Sequence, residues 1–449
     1  MVLARWKPAF FVGCLVGYLS QALPEKYSRR DIPDVVKVSS EDSPATEPKW
    51  SCHVFDQLSY CVYYNSLCLD KDGSIVLLTR NTTKHDHRVD LINDMSPSPW
   101  HAPDLNAIGR TSYGRYDVPF RSFFTSAKYS SSPINGGRLK QGWSLVAAFD
   151  ATNYNIYHYM NTMHASFIAR MYELGGLKDR SVTSSNDFLQ DMISPLSEFD
   201  FAYLLRPQPT SWQKNYGELC LGSQTKAKYI PHFPSNEHVD GECFEKAIIP
   251  GAALYLAEGL ASSTLFREMA ARVKQIRVPE EERNLITIFE RDMGDRNILN
   301  VDELIQAVQI AAPTFKVVSV IWDGQVDFKT QALHMARTRV MISTHGSVLN
   351  HNVFMEAAGV VIEVNGYQFS YPLDNQVVLS RGNHYIRYEE TLQNTKHQGF
   401  ELGHDPFPGV STRQCMAKAD CILARRDVDI KVNLDNFIPR FEEGLSLVT

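Results

Sequence analysis

The chain predicts an α/β fold built on parallel, doubly wound sheets, and three observations carry that expectation. Apolar strand-like runs alternate with amphipathic helices between Leu285 and Val364. The stretch from Arg339 to Val364 reads as one complete strand–turn–helix–strand unit. A similar alternation starts near Trp143, so two α/β regions meet near residues 275–284. Strands joined through helices at this spacing pair in parallel, because a hairpin leaves no room for the crossover.

Bulk properties agree with a folded, non-basic protein. A chain of 449 residues can bury a large core, and 44% hydrophobic content argues against disorder. A net charge of −6 gives no electrostatic case for nucleic acid, so no such partner is expected.

Taken in order, the N-terminus carries targeting information. Arg5 and Lys7 precede an apolar run from Pro8 to Leu23, and Glu25, Lys26, Arg29 and Arg30 follow. The run is short for a membrane span, and Ser20 and Ala22 suit a signal-peptidase site. Residues 1–23 are therefore read as a signal-anchor or a cleaved signal peptide, either of which sends the remainder into the secretory lumen. Residues 24–49, rich in Ser, Pro, Asp, Glu and Lys, read as a flexible stem. Cys52, Cys61, Cys68, Cys220, Cys243, Cys415 and Cys421 are expected to form disulfides with one thiol left over. The sequon at Asn81 fits a luminal loop.

Residues 50–278 form the N-terminal lobe of this reading. Ser144–Phe149 is its strand, Asp150 its polar break, and a helix from Ile156 to Leu174 ends at Gly175 and Gly176. Phe199–Leu205 and Lys246–Ile249 are further strands. Residues 279–449 form the C-terminal lobe. Leu285–Phe289 is a strand, and Asn300 with Glu303 makes a capping pair for a helix through Ile310. Lys316–Ile321 is the next strand and Thr330–Thr338 the next helix. Val340–Ile342 is a brief run of the kind a buried parallel strand needs. The helix Ser347–Ala357 follows, with Gly359 placed to stop it, and Val360–Val364 returns as a strand.

In open α/β sheets, ligands sit beyond the carboxyl ends of strands, where helix N-termini attract phosphate. Arg291 and Arg296 follow such an end and can grip a diphosphate bidentately; the alternative is a solvated loop of surface ion pairs. Gly346 allows close backbone approach, and His345 or Ser347 can donate hydrogen bonds. Glu363 suits either a ribose hydroxyl or a structural role. An attacking hydroxyl needs a base, for which His158 or Asp150 is suited; the alternative is that Asn155 caps the helix and His158 packs on the lobe. Asp427-Val-Asp429 and His85-Asp-His87 are short enough to arise by chance, so no metal site is expected. The absence of Gly-x-Gly-x-x-Gly after any strand argues against a dehydrogenase.

His345-Gly346-Ser347-Val348-Leu349, a short helix, a small-residue turn and Val361-Ile362-Glu363 resemble the donor-side motif of glycosyltransferase family 61. The family's usual wording is His-Gly-Ala-Gly-Leu, so the third and fourth positions differ here. Weaker matches run over roughly residues 140–400: Asn155-x-x-His158, the segment at Cys220, the segment from Glu242, and Arg291…Arg296…Asn300. The segment from Asp374 to Arg387 resembles the branch containing EGF-domain O-GlcNAc transferases.

The resemblance implies a GT-B-like fold, two Rossmann-like lobes facing a cleft, after an N-terminal apolar helix and stem. It implies an inverting glycosyltransferase moving GlcNAc or xylose from a UDP-sugar to a hydroxyl of a glycan or glycoprotein, with no cofactor. Arg291, Arg296, Asn300, His345, Gly346, Ser347 and Glu363 would bind the donor, Asn155 would face the acceptor, and His158 or Asp150 would be the base. The expected setting is the Golgi or endoplasmic-reticulum lumen, as a single-pass type II membrane protein or a secreted one. The departure from the motif keeps open a catalytically inactive UDP- or glycan-binding protein.

Overall fold

The computed structural model describes residues 38–39, 49–55, 58–69, 75–78, 128–130, 138–148, 156–175, 198–205, 209–229, 241–250, 260–291, 294–322, 326–369, 377–379, 381–415 and 418–448. Residues 38–449 form one compact unit. Two sheets dominate it, one drawn from residues 38–250 and the other from 285–389.

The first sheet has nine strands: β1 Val38–Ser39, β2 Lys49–Phe55, β3 Leu58–Leu69, β4 Ile75–Leu78, β5 Lys128–Ser130, β6 Arg138–Ala148, β7 Phe201–Leu205, β8 Lys226–Tyr229 and β9 Glu242–Pro250. Its spatial order is β1-β2-β3-β9-β6-β7-β8, with β4 beside β3 and β5 beside β4. The half formed by β9, β6, β7 and β8 is parallel, as an α/β lobe requires. The other half, β1 through β3 and on to β9, is antiparallel. That antiparallel wing adds to the parallel half, and the sequence reading did not anticipate it. It escaped the sequence reading because β3 finds its partner β9 far along the chain.

The second sheet is wholly parallel: β10 Leu285–Phe289, β11 Lys316–Val320, β12 Thr338–Thr344, β13 Val360–Asn365 and β14 His384–Glu389. The spatial order β11-β10-β12-β13-β14 is a doubly wound 2-1-3-4-5 arrangement, which reverses between β10 and β12. Its central strands β10, β12 and β13 carry continuous buried runs because both of their faces are covered. Ile286, Ile288, Val340, Ile342, Val360 and Ile362 pack with Leu304, Val308, Phe437 and Phe441 on one side. Met341 and Val361 belong to the opposite core with Phe328, Met335, Leu349 and Phe354.

That second core is shared with the first sheet. Helices Ile156–Glu173, Ser211–Leu221 and Leu260–Val273 bring Phe167, Trp212, Tyr216 and Phe266 into the same cluster. Trp212 meets Phe328 at 5.3 Å and Phe266 meets Phe354 at 5.9 Å between ring centroids. Each such fully buried aromatic contributes roughly 1.5–3 kcal/mol of burial free energy.

Three local expectations need correction. The segment after β12 is a 3-10 helix, Ser347–Phe354, rather than an α-helix to Ala357. Asn350, His351 and Asn352 each bond through their side chains to the carbonyl three residues back, which competes with α-helical pairing. Gly359 does not stop it; the left-handed residue of the following turn is Ala358, with φ 67°. Asn300 does stand before the helix Val301–Ala311, but its side chain caps no helical N–H and instead holds Val432, donating to its carbonyl at 2.9 Å and accepting from its N–H at 2.8 Å.

Among the described residues Cys68 bonds Cys243 and Cys415 bonds Cys421, as expected of a disulfide-bonded chain, and Cys220 is buried. The apolar N-terminal run, most of the stem, the sequon and His85-Asp-His87 lie outside the described residues. Among the described residues no helix is long and apolar enough to cross a membrane.

Candidate functional site

The order reversal between β10 and β12 marks where a ligand crevice belongs, and the sequence places two arginines and a glycine there. Arg291 lies just past the end of β10, and His345 and Gly346 follow β12. A Cβ built on Gly346 would lie 3.3 Å from an Arg291 guanidinium nitrogen and 3.7 Å from one of Arg296. Two cations thus converge on a backbone position that carries no side chain. Ser347 opens the 3-10 helix immediately behind them and is partly exposed.

Arg296 is held from several directions. Its Nη1 donates to the His345 carbonyl at 3.0 Å, and its own carbonyl accepts from Thr344 Oγ1 at 2.8 Å. Its backbone is left-handed, φ 74°, a conformation that a non-glycine residue keeps only when its surroundings impose it. The imposing element is distant in sequence. The strand β16, Val428–Ile430, pairs antiparallel with β15, Thr395–His397, and bridges to Ile298. Asp429 Oδ1 accepts from the backbone N–H and the side-chain amide of Asn297, both at 2.9 Å. Asp427 lies 3.5 Å from Arg296 Nε. Burial, then the charges of Arg291 and Arg426, push the Arg296 guanidinium down to about 10, against the pull of Asp427 and Asp295.

His345 is fixed by a buried carboxylate. Its Nδ1 lies 2.8 Å from Glu363 Oε1. A carboxylate only accepts, so Nδ1 carries the proton. Tyr385 donates its hydroxyl to the other Glu363 oxygen, and the His345 ring meets Phe369 edge-on at 4.9 Å. Burial opposes the Glu363 charge, but hydrogen bonds from His345, Tyr385 and Asn365 outweigh it and hold the carboxyl below its usual range. Glu363 is 1% exposed. Both of its oxygens are engaged within the protein, by His345 and by Tyr385.

The structure brings together Arg291, Arg296, His345, Gly346 and Ser347, with Glu363 behind them. It gives Asn300 to the Val432 backbone, one step removed, where it ties the same loop to the C-terminal segment. Asp150 and Asn155 lie outside the described residues; His158 sits in the first turn of the helix Ile156–Glu173. Sequence reasoning missed Arg426, Asp427 and Asp429 as neighbours of the site. The Asp-Val-Asp signal was visible, but only as a metal pattern; the two carboxylates engage Arg296, Arg426 and Asn297.

Comparisons with known proteins point the same way. The Glycosyltransferase 61 family model matches residues 155–362. An EGF domain-specific O-linked N-acetylglucosamine transferase from Xenopus laevis is 38% identical over 80 residues, which is 18% of this chain and 15% of that protein. Among solved structures, a glycosyl transferase family 9 protein from Veillonella parvula aligns with 65% of this chain and 99% of its own, at 10% identity and TM-score 0.27. The ADP-heptose lps heptosyltransferase II of E. coli aligns with 63% of this chain and 98% of its own, at 9% identity and TM-score 0.26. TM-scores this low carry no inference about fold, which rests on the strand order above. Over residues 155–362, covering β10, β12 and the turn between Thr344 and Ser347, the chain is similar to glycosyltransferase family 61.

Proposed function

We propose that this protein is a glycosyltransferase that takes a sugar from a UDP-sugar and places it, with inversion, on a hydroxyl of a glycan or glycoprotein. The observation carrying this reading is the convergence of Arg291 and Arg296 on Gly346 at the switch point of the parallel sheet. In the proposed step the acceptor oxygen attacks the anomeric carbon from the face opposite the nucleotide. The bond from that carbon to the diphosphate oxygen breaks, and its electron pair leaves on UDP. The hydroxyl proton passes to a base, for which His158 and Asp150 are the candidates by family resemblance. Charge developing on the diphosphate is where catalysis gains most, and fixed guanidinia stabilise it without reorganising. The arginines supply that charge, so we propose a metal-independent reaction.

GlcNAc is the first choice of sugar, supported by the named Xenopus relative, and xylose the second. The disulfides Cys68–Cys243 and Cys415–Cys421 support a luminal, Golgi or endoplasmic-reticulum setting, with the N-terminal segment as type II anchor or cleaved signal. A second reading, a nucleotide-binding protein without turnover, is favoured by Ser347 and Val348 standing where the family motif has Ala-Gly.

Arg291→Ala is expected to abolish transfer from a UDP-sugar panel while leaving the free energy of urea unfolding within about 0.5 kcal/mol of the parent, as for an exposed side chain. Undiminished turnover by the variant would remove the donor-site assignment. UDP binding by the parent with neither transfer nor UDP-sugar hydrolysis would favour the second reading.

A further inference from the structure

The family match ends at residue 362, yet the cationic site continues beyond it. Arg426 is the last residue of the helix Ala419–Arg426, and Asp427 follows it directly into β16. The Asp427 carboxylate takes Arg426 in a two-point grip, Nε to Oδ1 at 2.8 Å and Nη2 to Oδ2 at 2.7 Å. The same Oδ1 lies 3.5 Å from Arg296 Nε. One carboxylate therefore holds two guanidinia side by side, and both side chains keep solvent access, 27% for Arg426 and 20% for Arg296.

We propose that Arg426 is a third guanidinium ligand of the nucleoside diphosphate, and that Asp427 positions it beside Arg296; this rests on the donor-site reading above. Arg296 feels the positive charge of both Arg291 and Arg426. Clustered like charges of this kind are unfavourable in the empty site, and an incoming dianion relieves them. Arg296 neighbours both, through Gly346 and through the Asp427 carboxylate, and is anchored on the His345 carbonyl. Arg291 approaches the diphosphate from the β10 side and Arg426 from the β16 side, so the anion is held across its length. A fork of nitrogen donors suits non-bridging phosphate oxygens better than an ammonium does. The C-terminal segment is then part of the donor site as well as its support.

The test is calorimetric titration of the full chain with UDP, UMP and uridine, for the parent, Arg291→Ala, Arg426→Gln and Arg426→Lys. Arg426→Gln is expected to weaken UDP by about tenfold or more, with a smaller loss for UMP and none for uridine. Arg426→Lys is expected to fall between that variant and the parent. UDP affinity within about twofold of the parent in Arg426→Gln, with a clear loss in Arg291→Ala, would overturn the proposal and leave the donor site standing. A parent that does not bind UDP would overturn both. Should Arg426→Gln fail to fold, Arg426→Lys decides: an approximately threefold or larger loss of UDP supports the fork contact, and unchanged affinity overturns it.

Discussion

His345 shows how a residue recognised in sequence acquires its chemistry from partners that are not. Its place after β12 was legible, because a polar residue before glycine at a strand end marks a site. Glu363 and Tyr385 were not legible as its partners, since they meet it only through the pairing of β12, β13 and β14. Glu363→Gln keeps the shape but removes a charge-assisted hydrogen bond, at a cost of about 1.5–3 kcal/mol at neutral pH. The sign with pH follows from the depressed carboxyl. Its contribution is complete above the ordinary value of 4.5 and is lost as pH falls through the lower folded value. Urea melts of parent and variant should therefore differ at pH 7 and converge in acid. A difference that grows on acidification would contradict the hydrogen bond to an ionised Glu363.

At the scale of elements, the parallel sheet was legible and the antiparallel wing was not. Leu285–Phe289 was placed correctly at both ends because a strand buried on both faces leaves an uninterrupted apolar run. β3 pairs with β9 far along the chain, and β2 joins the sheet only through its neighbours β1 and β3, so neither was placed. The same distance hid β16, which pins the loop carrying Arg296. Asp429→Ala removes both hydrogen bonds to Asn297 and should weaken UDP binding without touching the ligand. The expected loss is about three- to thirtyfold, the equivalent of one or two ordinary hydrogen bonds. Unchanged affinity in Asp429→Ala would show that the loop holds its left-handed turn without β16.

For the molecule as a whole, stability should depend on pH through histidines buried in neutral form. His351 is 1% exposed, with Nδ1 at 3.0 Å from the Val348 carbonyl and Nε2 at 3.0 Å from Gln331 Oε1. Burial is the main cause that pushes it from 6.5 down to about 4. Between those values the unfolded chain binds a proton that the native chain refuses, so stability falls as pH drops, by up to about 1.4 kcal/mol per unit. Burial shifts His334, His384 and His397 in the same direction. Denaturant midpoints at pH 7 and pH 5 check this, and His351→Gln should show the smaller difference whatever its baseline. Reductive loss of Cys68–Cys243, which closes 175 residues, is expected to cost about 2–5 kcal/mol in the same assay. The most direct test of the central claim is titration of the parent and Arg291→Ala with UDP, with and without EDTA. Saturable UDP binding by the parent, unaffected by EDTA, and at least about a tenfold loss in the variant are the expected results. A folded parent that ignores UDP, or a variant that binds it equally well, would contradict the donor site.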